Sequence, residues 1–417
     1  FAVMMKARQY DRRFFSRGIQ PHVYAIVESN HVDKFAVDYF CNGDAKLTTA
    51  MDTLIKELHD AKEYGSILTV TPQDWTVLYD RFAEIAEDIN MSRETALREL
   101  LPLVQVAEAL AQKYDAVVTN PPYMGASGMS AKLSNYVKKN YPDSKSDLST
   151  VCMERSTMLC KSNGFWSMIN IPVWMFLSSY EKLRGKLLGV QTLVNMVHPG
   201  RGIFGSDFGT TSFVFAKRLS DGYKGNYRRL FEKQGEVEGV EAREMAFLSK
   251  KGSFSADQTN FSKIPGSPVA YWVSSNLLND FTLGDALKNN GDTRQGMATS
   301  DNNRFLRLWH ESSFEKIGFG CHSAQEAIES QKKWFPYNKG GEFRKWYGNN
   351  DFIINYENDG FEVKSYASSL YKQASRTIKS MSEYFKPSIS WSKISSGSVA
   401  FRYYPDGFIF DVAGCCI

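Results

Sequence analysis

The most informative ten residues of the chain are Tyr114-Asp115-Ala116-Val117-Val118-Thr119-Asn120-Pro121-Pro122-Tyr123. Ala116, Val117 and Val118 form a short apolar run, which is typical of a parallel strand that is buried on both faces. The two prolines end this strand, because each fixes its own φ and removes a backbone donor. The pattern therefore predicts a buried parallel strand followed by a rigid loop with a polar tip.

The loop after this strand is rich in hydrogen-bond acceptors. The side-chain carbonyl of Asn120 and the backbone carbonyl of Pro121 have no neighbouring amide to compete for them, and Tyr123 offers a flat aromatic face. This combination suits an NH2 group on a planar ring. Two acceptors that hold the hydrogens of such an amine favour the pyramidal form that attacks an electrophilic methyl group. A plain turn is the alternative, since Asn and Pro are common turn residues.

Asn-Pro-Pro-Tyr after an apolar strand resembles motif IV of the S-adenosylmethionine-dependent amino-methyltransferases. The rest of the chain is similar to N6-adenine DNA methyltransferases, most of all to those of BREX phage-defence systems, in residues 141–148, 163–170, 174–184, 296–305, 334–349 and 389–394. This resemblance implies transfer of a methyl group from S-adenosylmethionine to N6 of a flipped adenine in double-stranded DNA. It implies four catalytic residues, Asn120, Pro121, Pro122 and Tyr123, and other defence-system proteins as partners.

Two other classes of function remain open from the sequence. Motif IV also occurs in methyltransferases that act on a protein glutamine amide or on RNA guanine. An inactive DNA-specificity component is the third possibility, because neither the Gly-rich turn nor the acidic residue that holds the cofactor in such enzymes precedes Asn120. We therefore expect an internal piece of a longer protein that lacks the main cofactor-binding loop and the first strands of the sheet. Such a piece is expected to be inactive alone.

The expected fold class is α/β, with a partial Rossmann-like methyltransferase sheet over residues 1–220. A helical insertion is predicted over about 44–113, where Trp75, Leu78, Phe82 and Ile85 share one helix face. Residues 221–269 are predicted to be a connector, and residues 270–417 the start of an α+β target-recognition region. The other predicted elements of the catalytic part are a helix over 1–18, strands over 21–30, 164–170 and 192–197, and an antiparallel strand over 212–217.

Further cofactor and base contacts follow from this arrangement. Ligands of a doubly wound sheet lie beyond the carboxyl ends of its strands, and the resemblance therefore implies that Glu28 and Ser29 bind S-adenosylmethionine together with Asn120. A solvated strand end is the alternative for the first two. The family places an aromatic ring against the extruded base in the loop that spans residues 198–211. Phe204 is the first candidate and Phe208 the second to stack on the base with Tyr123, and either residue is alternatively part of the core.

The segment 332–347 alternates basic and aromatic residues. Cations for phosphates beside aromatic faces for stacking are typical of nucleic-acid contact surfaces. The predicted DNA-binding residues are Lys332, Lys333, Trp334, Arg344, Lys345 and Trp346. An aromatic core with basic side chains that reach out to solvent is an equally good interpretation.

The composition of the chain bears on its cellular location and on the partners it can bind. The chain has 417 residues, of which 43% are hydrophobic, and no run approaches the roughly 20 apolar residues of a membrane span. We expect a cytoplasmic protein without a membrane partner, whose six scattered cysteines are reduced. The net charge of +4 favours only local basic patches. No metal site is expected, because His59 has no second ligand at helical spacing.

Overall fold

A computed structural model describes residues 2–18, 21–203, 208–233, 235–394 and 398–417. The chain divides into two compact units, residues 1–278 and 279–417. The first unit therefore takes in residues 221–269, for which the sequence suggested a connector. None of the helices in these described ranges is long and apolar enough to cross a bilayer.

Helices dominate the first part of the first unit, and they confirm the predicted helical insertion. Asp33, Asp44 and Asp74 each cap a helix by accepting a backbone N–H near its start. Phe40 and Phe82 meet in the buried core of the helices, with ring centroids 4.5 Å apart. The helices are α1 (Ala2–Tyr10), α2 (Lys34–Cys41), α3 (Ala45–Glu57), α4 (Ala61–Tyr64), α5 (Trp75–Ala86) and α6 (Arg93–Ala111).

The prediction of a strand over residues 21–30 is wrong. The described residues of this segment have no regular secondary structure and pair with no strand. Ile26 and Val27 pack against the helical core instead, and the Ser29 amide donates to the Leu58 carbonyl at the end of α3. A β-branched run forms a strand only when a neighbouring strand pairs with it. No described strand pairs with this segment.

A six-stranded mixed sheet follows the helices. Its order is β1-β2-β4-β3-β5-β6, in which β1 is parallel to β2, β3 is parallel to β5, and β4 runs antiparallel between β2 and β3. This confirms the strands predicted over 164–170 and 192–197 and their antiparallel partner. The strands are β1 (Tyr114–Thr119), β2 (Cys160–Asn170), β3 (Thr192–Gly200), β4 (Thr210–Ala216), β5 (Lys224–Arg229) and β6 (Ser253–Asp257).

Four helices connect these strands, namely α7 (Ala131–Asn140), α8 (Leu148–Leu159), α9 (Glu181–Val190) and α10 (Val240–Leu248). Trp166 of β2 is fully buried at the centre of the sheet. Its ring stacks on that of Phe215 at a centroid distance of 4.6 Å, and its Nε1 donates to Gln191 Oε1 at 2.6 Å. The core of the sheet is therefore aromatic, and its buried indole nitrogen has a partner.

The prediction that β1 is buried on both faces is wrong. Among the described strands only β2 pairs with β1, so β1 lies at the edge of the sheet. Val117 packs on the core of the sheet, whereas Val118 is 78% exposed. Successive side chains of a strand point to opposite faces, and no described residue covers the face that carries Ala116 and Val118.

His198 lies at the end of β3 and is almost fully buried. Its Nδ1 lies 3.2 Å from the hydroxyl oxygen of Tyr271, and its ring meets the Phe231 ring edge-on at 4.8 Å. Burial, together with the nearby positive charge of Arg229, lowers the pKa of His198 to about 4. The imidazole is therefore neutral in the folded protein at neutral pH.

This burial predicts a loss of stability in acid. An unfolded histidine has a pKa of about 6.5, so below that pH the unfolded chain binds a proton that the folded chain does not. Stability then falls as the pH drops from about 6.5 toward 4, by up to about 3 kcal/mol for this residue. Urea unfolding across this range should show a shallower pH dependence for His198→Leu than for the unchanged protein. His31→Leu, at an exposed site, should keep the original slope, and equal slopes in all three would contradict the assignment.

The second unit combines helices with two small sheets, which agrees with the predicted α+β character. Its strands are β7 (Leu306–Leu308), β8 (Trp334–Asn338), β9 (Phe352–Asn355), β10 (Ser388–Ser392), β11 (Phe401–Tyr404), β12 (Ile409–Phe410) and β13 (Gly414–Cys416). They form one sheet of order β12-β8-β9-β7 and another of order β11-β10-β13. The remaining helices are α11 (Ser275–Leu283), which starts in the first unit, α12 (Asn302–Phe305), α13 (Ala324–Glu329) and α14 (Glu357–Tyr371).

Candidate active site

The loop Asn120-Pro121-Pro122-Tyr123 begins where β1 ends. Thr119 of β1 pairs with Met168 of the parallel strand β2, so the loop lies beside the carboxyl end of β2. Asn120 is exposed and Pro121 is buried beneath it. Ligands of such sheets bind at this edge, and the asparagine side chain therefore stands where a ligand can reach it.

Tyr123 anchors the tip of the loop. Its hydroxyl oxygen lies 3.2 Å from Asn120 Oδ1 and 3.3 Å from the carbonyl oxygen of Ile169 at the end of β2. Burial raises the pKa of Tyr123, so the hydroxyl keeps its proton at neutral pH. One proton can make a full hydrogen bond to only one of the two oxygens at a time. When Tyr123 donates to Ile169, Asn120 Oδ1 is available to another donor.

The chain after the tip is held in place by its own backbone. The Leu148 amide donates to the Met124 carbonyl at 2.9 Å, and the Ala126 amide donates to the Ser146 carbonyl at 3.0 Å. Asp147 then caps α8 by accepting from the Ser149 amide. Within the described residues, no backbone amide donates to the carbonyl of Pro121. Asn120 therefore has an exposed side chain, and the Pro121 carbonyl has no backbone donor within the described residues; their role as acceptors for a ligand remains a prediction.

The second candidate for the base-stacking ring, Phe208, lies next to Tyr123. The Phe208 ring meets the Tyr123 ring edge-on, with centroids 5.5 Å apart and planes at 87°, and 48% of Phe208 is exposed. The first candidate, Phe204, lies outside the described residues. Phe208 is therefore the described phenylalanine that supports the predicted stacking site, and its role stays a prediction.

The two other residues predicted to hold the cofactor, Glu28 and Ser29, differ in exposure and in the bonds that their side chains already make. Ser29 is buried, and its hydroxyl donates to the Ile55 carbonyl at 2.5 Å. Glu28 is partly exposed, and its carboxylate forms a long ion pair with Lys62, at 3.7 Å. The Glu28 carboxylate can thus be reached by a ligand, whereas the Ser29 side chain is buried and its proton is already donated to Ile55. Their assignment to the cofactor remains a prediction.

The sequence did not indicate the contact between Tyr123 and the end of β2. Ile169 contributes its backbone carbonyl, and the fully buried Asn170 next to it accepts from the Ile171 amide at 2.7 Å. To predict this contact, one would have needed the register in which β1 pairs with β2. No group of three or more potential metal ligands occurs among the residues that the structure describes.

The six predicted DNA-binding residues fall into two groups. Three belong to the region of β8 and are engaged within the protein. Lys332 Nζ donates to the Glu315 carbonyl, Lys333 pairs with Glu357 at 3.9 Å, and Trp334 is half-buried. The other three, Arg344, Lys345 and Trp346, are exposed on a loop. Arg344, Lys345 and Trp346 are therefore better candidates for DNA contact than the first three residues.

Comparison with known proteins shows which families and structures this chain resembles. Residues 43–204 match the Eco57I restriction-modification methylase family. A solved structure, that of the Type IIL restriction-modification enzyme MmeI in complex with DNA, is similar over 75% of this chain and 42% of that chain, with a TM-score of 0.47 and 12% identity. The family match lies within the first unit and includes β1, the loop at 120–123 and β2.

Two curated relatives match essentially the whole chain. The adenine-specific methyltransferase BrxX of Escherichia coli O9:H4 (strain HS) is 36% identical over 452 residues, which cover 100% of this chain and 35% of that protein. The adenine-specific methyltransferase PglX of Lacticaseibacillus casei (strain Zhang) is 37% identical over 440 residues, which cover 99% and 35%. Over its whole length the chain is thus homologous to the adenine-specific methyltransferases BrxX and PglX, and it spans about a third of their length.

Proposed function

We propose that this chain is the part of a DNA adenine-N6 methyltransferase, in a BREX-type phage-defence system, that holds the target amine. The observation that carries the proposal is the exposed Asn120 Oδ1, which shares one hydroxyl proton with the Ile169 carbonyl. Asn120 Oδ1 can exchange its bond with Tyr123 for one with a ligand, because the Tyr123 hydroxyl can still donate to Ile169. The relatives named BrxX and PglX support adenine as the base.

Asn120 and Pro121 act on the amine hydrogens. The lone pair of N6 is delocalised into the adenine ring, so the free amine is a weak nucleophile. Hydrogen bonds from N6 to Asn120 Oδ1 and to the Pro121 carbonyl favour the pyramidal nitrogen, whose lone pair points at the methyl group. These bonds strengthen as positive charge develops on the nitrogen, and they therefore stabilise the transition state more than the ground state.

S-adenosylmethionine is the methyl donor that the family implies, and its sulfonium supplies an electrophilic methyl group. Of the described residues, Glu28 fits a contact with the cofactor, because its carboxylate is only loosely paired with Lys62. Asn120 fits a second contact, since its exposed amide has both donors and an acceptor. The Ser29 hydroxyl does not fit, because it is already bonded to Ile55.

The target base has to leave the duplex to reach Asn120. Stacking on Tyr123 would offset part of the few kcal/mol that the lost pairing and stacking of the base cost. The nearby Phe208 is partly exposed and edge-on to Tyr123, so it can border the same base. Arg344, Lys345 and Trp346 supply phosphate and stacking contacts elsewhere on the DNA.

Transfer of labelled methyl from S-adenosylmethionine tests the proposal. In the full-length gene product, we expect the label on adenine of double-stranded DNA. Release factor protein and ribosomal RNA, offered in the same assay, should stay unlabelled. Label on either of them but not on DNA would select a methyltransferase of another planar amine. Specific DNA binding with no label on any substrate would instead indicate a specificity component without catalysis.

A further inference from the structure

The loop 341–349 presents large aromatic side chains to solvent. Phe343, Trp346 and Tyr347 are 58%, 69% and 72% exposed. Exposed aromatic residues that cluster in this way usually mark a binding surface, because water does not favour them. The question is therefore which partner such a surface would take.

Trp346 has an unusual backbone conformation. Its φ is +73°, in the left-handed region that bulky residues rarely occupy. Its amide donates to the Phe401 carbonyl at 2.8 Å, and its carbonyl accepts from the Tyr403 amide at 3.0 Å. Both backbone groups are thus fixed to β11. Strained residues that the surroundings hold in place concentrate at ligand-binding sites.

The rest of the loop is held as well. Arg402 donates to the Arg344 carbonyl at 3.3 Å, and the Tyr404 hydroxyl donates to the Gly348 carbonyl at 2.9 Å. A third bond runs from Asn349 Nδ2 to the Glu342 carbonyl at 3.0 Å. A loop fixed at several points loses little conformational freedom when a ligand binds, and this favours affinity.

The charges around Trp346 indicate a polyanion. Segments 339–350 and 388–404 contain one acidic residue, Glu342, and four cationic residues that are at least partly exposed, namely Lys339, Arg344, Lys345 and Lys393; a fifth cation, Arg402, is buried. Lys345 Nζ lies 5.0 Å from the centre of the Trp346 ring. Ile389, Phe401 and Tyr403 add exposed apolar surface on β10 and β11. Cations for phosphates around a projecting apolar side chain are what proteins that kink DNA use.

We propose that Trp346 is a wedge that enters double-stranded DNA at an opened base step and stacks on the adjacent base. Arg344 and Lys345 contact the phosphates on either side. The inference rests on the proposed function only in taking DNA as the substrate, and it assigns to Trp346 a role separate from the amine-binding loop. A protein partner for the same surface would give a different result in the test below.

The test compares two labelled duplexes of mixed sequence, one fully paired and one with a single unpaired base, by fluorescence anisotropy. A wedge gains its stacking energy without first opening a step in the second duplex. We therefore expect the 417-residue chain to bind it about ten- to a hundredfold more tightly. Trp346→Gly should bind both duplexes equally. Glycine adopts positive φ readily, so this variant should melt at no lower temperature than the unchanged chain.

Two further variants complete the design. Trp346→Asn also tolerates the left-handed conformation and should lose the preference as well. Phe314→Ala removes an aromatic ring that is 71% exposed and has no positive φ, and it should keep the preference. A preference that survives in Trp346→Gly, or no DNA binding by the unchanged chain, would overturn the wedge. Its loss in Trp346→Gly, combined with no methyl transfer to DNA by the full-length product, would overturn the proposed function alone.

Discussion

Asn120→Ala is expected to lower methyl transfer to adenine by a hundredfold or more in the full-length gene product. The substitution removes an acceptor that acts on the amine mainly in the transition state, and loss of one such contact typically reduces kcat by about 10²–10³. Single-turnover transfer of labelled methyl measures the effect directly. DNA affinity should change little, because the side chain touches one flipped base and no phosphate.

The controls for this prediction separate chemistry from folding. Asn135→Ala, at an exposed position of α7, should leave the rate unchanged. Asn120→Asp keeps the acceptor oxygen Oδ1 and should retain more activity than Asn120→Ala. A full rate in Asn120→Ala would remove the proposed mechanism. A large loss of DNA binding in the same variant would mean that the asparagine holds the duplex and not the amine.

Trp166→Ala is expected to destabilise the first unit by about 3–5 kcal/mol, the range found when a large buried aromatic residue is truncated. The side chain is fully buried and stacked on Phe215. Its removal also leaves the buried Gln191 Oε1 without the indole N–H that donates to it. Urea unfolding followed by circular dichroism measures the loss.

Trp166→Phe should cost less, because the ring contact with Phe215 is preserved and only the bond to Gln191 and part of the volume are lost. Trp309→Ala, at a site that is 49% exposed, should change stability by no more than about 0.5 kcal/mol. A loss below about 1 kcal/mol in Trp166→Ala would contradict the stated packing of the sheet core.

Local signals in the sequence predicted the helical insertion and the end of β1, whereas the helix predicted over 1–18 is α-helical only over Ala2–Tyr10. Asp33, Asp44 and Asp74 cap their helices through contacts within three residues along the chain, and such contacts can be read from sequence. The prolines likewise end β1 as expected. The antiparallel strand β4 was predictable because the family resemblance supplied its place in the sheet.

Contacts between distant segments were less predictable. Residues 21–30 have the composition of a strand, but whether they pair depends on which element lies beside them, and here Ile26 and Val27 pack on helices. The exposure of Val118 depends on what covers β1, and its apolar side chain carries no information on that. The Ile169 carbonyl contributes through its backbone, so its side chain gives no sign of the contact.

The arrangement of Tyr123 between two oxygens has a consequence for the resting enzyme. With no base bound, the Tyr123 hydroxyl lies within hydrogen-bond distance of Asn120 Oδ1, while the amide itself stays exposed to solvent. The released phenol still has the strand-end oxygen of Ile169 to bond. In the proposed mechanism, binding of adenine therefore replaces the bond between Tyr123 and Asn120 with one from the amine, and the Tyr123 hydroxyl keeps a partner throughout.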